Sequence, residues 1–167
     1  MKIMKRIFLI ITILSLVVFA CGPVATTDTA IDYNDEMMDI QTGVNQGLVD
    51  LLDEIEMGDE NDILDAKAEA IKVIEDAEKN VKEMDDFDDK DDYKKAMLKL
   101  IDMYKDVVEN GFAEVIDYTI YFDELTDEEE EYYHELYSSA LEKYDVAMDE
   151  FSEFQEGYAE EWDFVIE

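Results

Sequence analysis

Apolar residues recur along most of the chain in alternating steps of four and three, the period that lines one face of a helix. The clearest stretch is the last, where Tyr133, Tyr137, Ala140, Tyr144, Ala147, Phe151, Phe154 and Tyr158 form an unbroken seam. Thr126 stands where it can cap this helix, with Glu129 three residues on to complete a capping box. A third helix is read from Tyr93, Met97, Leu100, Tyr104, Val107, Gly111, Val115, Tyr118 and Phe122. The second runs through Ile63, Ala70, Ile74, Ala77, Val81 and Met84, with Lys67 interrupting its seam. The first runs through Tyr33, Met37, Ile40, Val44, Leu48, Leu51 and Ile55; Gly58 ends it and Asp59 can cap the next.

Pro23 is the only proline, and 144 residues follow it without the frequent turn signals of a β domain. Short connections near 57–60, 85–91 and 123–126 make sequence neighbours antiparallel. The expected fold is all-α, an antiparallel up-down-up-down four-helix bundle following a cleaved lipoprotein signal peptide. The expected boundaries are residues 1–20 for the signal, 21–30 for a lipidated tether and 31–167 for the bundle.

The start of the chain has a different pattern. Lys2, Lys5 and Arg6 precede an uncharged run of 14 residues, Ile7 to Ala20, and then the only cysteine, Cys21. A spanning helix needs about 20 apolar residues, so the run is short for a permanent anchor and fits a secretory signal. Val18-Phe19-Ala20-Cys21 resembles the lipobox of bacterial lipoproteins, in which cleavage precedes a cysteine that carries lipid. That resemblance implies lipidation of Cys21 and membrane association through more than one acyl chain, enough for stable anchoring. Gly22 differs from the Asp that marks inner-membrane retention in enterobacterial lipoproteins, which favours an outer-membrane or surface position.

Charge narrows the partners. The chain carries 47 acids against 13 bases, a formal charge of -34. Loss of residues 1–20 would leave 10 lysines, no arginine and a charge of -37, from 10 bases less 47 acids. Such a surface repels nucleic-acid phosphates, so no nucleic-acid partner is expected. Weak association with divalent cations is open to such a surface, and the protein partners it would serve are not identified by the sequence.

No constellation points to catalysis, and neither an enzyme nor a cofactor is expected. The Glu131-x-x-His134 spacing is that of di-iron bundles, but such a site needs a second motif of this kind, and His134 is the only histidine. The run Asp85 to Asp92 is the densest acidic segment. It departs from the calcium-loop pattern at Lys90 and Asp91 and reads more simply as a solvated connection with an Asp capping the third helix. Gly43 and Gly47 have the spacing of a close helix approach inside a bundle. Tyr93, Tyr104, Tyr118, Tyr133, Tyr137, Tyr144 and Tyr158 all fall on seams. A buried phenol needs a partner, so these hydroxyls either lean out to the rim or converge on a polar pocket.

The opening of the first helix, Tyr33-Asn34-Asp35-Glu36 followed by Ile40-Gln41-x-x-Val44, is similar to small surface lipoproteins of Bacteroidetes and Leptospira. So are the aromatic and glutamine-bearing last helix, Phe151 to Ala159, and the short apolar tail Trp162 to Ile166. The resemblance implies a helical bundle on the envelope, without catalytic residues. The expected function is that of a non-enzymatic, lipid-anchored envelope protein serving protein interaction or envelope organisation. The alternative is a cation- or small-ligand-binding lipoprotein, using the 85–92 loop or a tyrosine-lined interior.

Overall fold

A computed structural model describes residues 25–121 and 125–166. The signal segment, Cys21 and Phe122 lie outside the described residues, as does most of the tether's first half. Among the described residues the chain is helical and carries no strand, and it forms a helical bundle. Helix α1 is Thr27–Met57, α2 is Glu60–Glu83 and α3 is Asp92–Asp106. A π-helical turn, Val107–Gly111, joins α3 to α4, Ala113–Tyr121, and α5 is Asp127–Trp162. None of these helices is long and apolar enough to cross a membrane.

Local chemistry sets the ends. Thr26 caps α1, with Thr29 N–H donating to its hydroxyl at 3.3 Å and Thr26 N–H donating to the Thr29 hydroxyl at 2.9 Å. The helix therefore begins inside the segment expected to be tether, and Ala30 is buried. At Gly58 the backbone is extended, φ -80, so no left-handed residue is required. Glycine is needed for room, because a Cβ there would fall 2.7 Å from the Glu54 carbonyl oxygen. Asp59 then accepts from the N–H groups of Asn61 at 2.9 Å and Asp62 at 3.2 Å, opening α2. Thr126 and Glu129 form the expected capping box on α5, with Thr126 N–H donating to Glu129 Oε2 at 2.9 Å.

The expected aspartate cap on the third helix does not form. Asp91 makes no side-chain cap; its carboxylate pairs with Lys95 at 2.7 Å, four residues along the helix. A neighbouring ammonium competes successfully for it.

Four apolar stripes meet along the bundle axis. Met37, Val44, Leu48, Leu51 and Ile55 of α1 are buried with Ile63, Ile74 and Val81 of α2. Gly47 lets α2 pass close, with Ala70 and Val73 3.7 Å from the Cβ it lacks, whereas Gly43 faces open space. The third stripe shifts register at the π turn, where Phe112 N–H donates to Val107 O at 2.8 Å, five residues back. The extra residue turns Val108, Phe112 and Ile116 into the core alongside Val107 and Val115. It also sets Gly111 beside α5, where an added Cβ would meet Ala140 Cβ at 3.4 Å. Small residues at Gly111 and Ala140 let the two backbones approach at the bulge.

Candidate functional site

Polar side chains interrupt the interior at two levels. Asn34, Gln41 and Gln155 are each at least 95% buried, and α1 and α5 carry them toward the tyrosines of α3. At the first level Tyr93 donates its hydroxyl proton to Asn34 Oδ1 at 2.8 Å and accepts from Gln155 Nε2 at 3.0 Å. The hydroxyl is fully satisfied. Burial pushes the Tyr93 phenol up to about 12. At the second level Tyr104 lies on Met148, donating to its sulfur, and stacks on Tyr144 with ring centroids 5.3 Å apart. Burial drives the Tyr104 phenol well above its ordinary value, with Tyr144 adding to the effect. Gln41 Nε2 donates to the same Met148 sulfur at 3.2 Å, and Gln41 Oε1 has no hydrogen-bond partner among the described residues.

The hydroxyls of Tyr144 and Tyr137 reach the rim, while that of Tyr158 stays buried. Tyr144 donates to Asn45 Oδ1 at 3.4 Å and Tyr137 to Glu56 at 3.5 Å, both across to α1. Tyr158 points at Ala30 O, 3.5 Å away. Tyr133, half-buried, has the Thr119 hydroxyl donating to it at 3.5 Å. Rim placement thus holds for Tyr137 and Tyr144, while Tyr93 and Tyr104 belong to the interior. The inner hydroxyls bond to protein groups and do not converge on one cavity.

The acidic run 85–92 is a tight turn. Asp88 and Asp89 both adopt left-handed backbone, φ 53 and 57, and Lys90 N–H donates to Phe87 O at 2.9 Å. Two successive positive φ values are those of a type I′ turn, which aspartate tolerates better than most residues. Lysines engage much of its charge. Lys94 sits 3.1 Å from Asp86 and donates to Met84 O at 2.6 Å, closing the end of α2, and Lys90 meets Glu161 of α5 at 2.8 Å. Phe87 points inward, its ring 5.3 Å from Tyr33 and 5.0 Å from Trp162. Tyr33 fixes the turn to α1 by donating to Asp85 O at 3.1 Å. Burial, together with Asp86 and Glu36, pushes its phenol up to about 12. The turn is thus tied to α1, α3 and α5 through its own lysines and rings.

Glu131 and His134 are exposed on the outer face of α5. The shallow hollow beside them is lined by residues of α5 alone, so no second helix offers ligands across it. Among the described residues no group of three or more His, Cys, Asp or Glu gathers as a metal centre.

A concave surface does form where the turn, the start of α3 and the last turns of α5 meet. This cleft of about 280 Å³ is walled by Phe87, Tyr93, Phe154 and Tyr158, with charged groups around its mouth. The sequence places Tyr93, Phe154 and Tyr158 on seams but does not bring Phe87 to them, because Phe87 stands as one apolar residue in an acidic loop. Nor does its hydropathy pattern mark Asn34, Gln41 and Gln155, although counting in steps of four and three from Ala30 reaches Asn34, Met37, Gln41 and Val44 in turn. Compared with family models, with curated proteins and with solved structures, the chain matches none.

Proposed function

We propose that the chain is a non-enzymatic, lipid-anchored protein of the bacterial envelope, whose acidic bundle is held outward for interaction with other proteins. The observation that carries this reading is the position of Cys21, the only cysteine, at the end of a basic and then apolar run. The start of α1 supports it: Thr26 caps the helix five residues after Cys21, so folded structure begins close to the position of the lipid. We place the anchor in the outer membrane or at the cell surface, because Gly22 follows the cysteine.

We further propose that the bundle runs up-down-up-down. Tyr158, Gln155, Tyr144 and Tyr137 of α5 meet Ala30, Asn34, Asn45 and Glu56 of α1, one numbering rising as the other falls. Between α5 and α3, Gln155 meets Tyr93, Glu150 meets Lys99 and Lys143 meets Asp106, again in opposite senses.

Partners of such a surface are basic. Nine of the ten described lysines already have a carboxylate within 4.0 Å, while most acids have no base beside them. Divalent cations would associate with this charge diffusely, since no group of three or more His, Cys, Asp or Glu gathers among the described residues. The test is metabolic labelling with an acyl probe. The wild-type chain incorporates label and sediments with membranes; Cys21→Ala does neither. A labelled Cys21→Ala chain, or an unlabelled wild type, overturns the reading.

A further inference from the structure

The aromatic cleft at the turn end of the bundle has the chemistry of a receptor for a small alkylated ammonium ion. Its walls are aromatic and mutually tilted. The Tyr93 ring stands at 88° to Phe154 with centroids 5.2 Å apart, and at 89° to Tyr158 at 4.7 Å. Phe87, from the turn, meets Tyr158 at 74° and 5.9 Å. Tyr93 and Tyr158 are buried and form the floor of an open cleft, and the half-buried Phe87 and Phe154 keep ring surface toward it. The electron-rich faces of aromatic rings attract cations, and a cation without N–H groups is less strongly hydrated than a primary ammonium, so its transfer to such faces costs less.

Charge at the mouth agrees. Asp92, Glu153 and Glu161 stand there against a single base, Lys90, which is committed to Glu161 at 2.8 Å. The cleft is therefore net acidic as well as aromatic; a neutral hydrocarbon would satisfy only half of it and an anion neither half. Lys90 is itself an alkylammonium held at this mouth, and it marks where a ligand's charge would be favourable.

Gly157 is the third observation. It lines the cleft from the last turns of α5, still inside the helix, where glycine weakens the fold. A Cβ there would meet nothing within 4 Å, so neither packing nor backbone geometry demands glycine. The absent side chain leaves the space open.

We propose that this cleft binds a small soluble quaternary or highly alkylated ammonium compound, the charge lying against Phe87 and Phe154 and balanced by Glu153 and Asp92. The proposal extends the small-ligand alternative and does not depend on the lipid anchor or on the bundle's partners.

Trp162, the only tryptophan, meets Phe87 edge to face and reports on the cleft. The full chain, purified in a sugar-headed detergent at moderate salt, would be titrated with choline and with its uncharged carbon isostere 3,3-dimethylbutan-1-ol, following tryptophan emission and heat. Choline should give a saturable change, and the isostere should bind about tenfold or more weakly, the loss expected when a desolvated cation–π contact is removed. Gly157→Leu should abolish the response while leaving the fold intact, Glu153→Gln should weaken it, and Lys90→Ala should strengthen it. Equal binding of the isostere, a response surviving Gly157→Leu, or no saturable response in the wild type by either readout would overturn the proposal. Vesicles of phosphatidylcholine competing at the same choline concentration would overturn its assignment to a soluble ligand.

Discussion

Buried amides in this bundle are not equivalent, and the difference lies in how many of their atoms find partners. Asn34, Tyr93 and Gln155 complete one another, whereas Gln41 leaves its carbonyl oxygen bare. Removing one member of a satisfied set strands the others, while replacing an unsatisfied group by an apolar one of similar shape costs little or stabilises. Tyr93→Phe should therefore lower unfolding stability by about 1–2 kcal/mol, and Gln41→Met should leave it unchanged or raise it by about 1 kcal/mol. Urea denaturation of the two variants checks both directions.

The tyrosines also set an alkaline limit. Tyr33 and Tyr93 ionise near 12 in the folded chain against 10.0 for the free phenol, because burial disfavours the phenolate. Their folded values are raised, so the stability they contribute is complete below pH 10 and is lost as pH climbs toward 12. Phenolate absorbance followed beside helical circular dichroism should show a late fraction that appears together with unfolding. Full ionisation of every tyrosine before any helix is lost would contradict it.

At the scale of the element, the caps and seams were legible because they rest on short-range chemistry. Thr126 with Glu129, Gly58 and Asp59 are each recognisable within four residues. Thr126→Ala should cost about 1 kcal/mol by urea denaturation, through loss of the N-cap on α5. Gly157→Ala and Gly43→Ala should each gain up to about 1 kcal/mol, since both glycines lie within helices and neither faces an obstructing neighbour.

What escaped reading at this scale has physical reasons. On α1 the apolar residues Tyr33 and Ile40 drew the seam one residue aside, yet both are only partly buried, while polar Asn34 and Gln41 occupy the core. On α5 the same exchange occurs between Phe154 and Gln155. A polar residue is assigned outward by any hydropathy pattern, and only its partner on another helix makes it interior. The π turn is similarly hidden. Its added residue widens the side of α4 that faces the core, so Phe112 and Ile116 join Val107 and Val115 there, and nothing within 107–111 announces that. The cleft needed three separate segments to be placed together, and the sequence shows them only as an acidic loop, a helix start and a helix end.

Across the whole molecule, charge opposes the fold. The full chain carries a formal charge of -34, and the cross-helix ion pairs of the bundle, such as Lys99 with Glu150, are solvent-exposed and individually worth little. Mutual repulsion of carboxylates is screened over about 10 Å at 0.1 M salt. Melting temperature should accordingly rise between very low and moderate ionic strength; a flat response would mean that the acids are effectively neutralised in place.

In the proposed reading one residue, Cys21, ties that acidic bundle to a membrane. Intact mass spectrometry of the chain isolated from growing cells tests this most directly. It should find an amino terminus at Cys21 carrying diacylglycerol and an amide-linked acyl chain. An amino terminus elsewhere, or Cys21 with a free thiol, would contradict it.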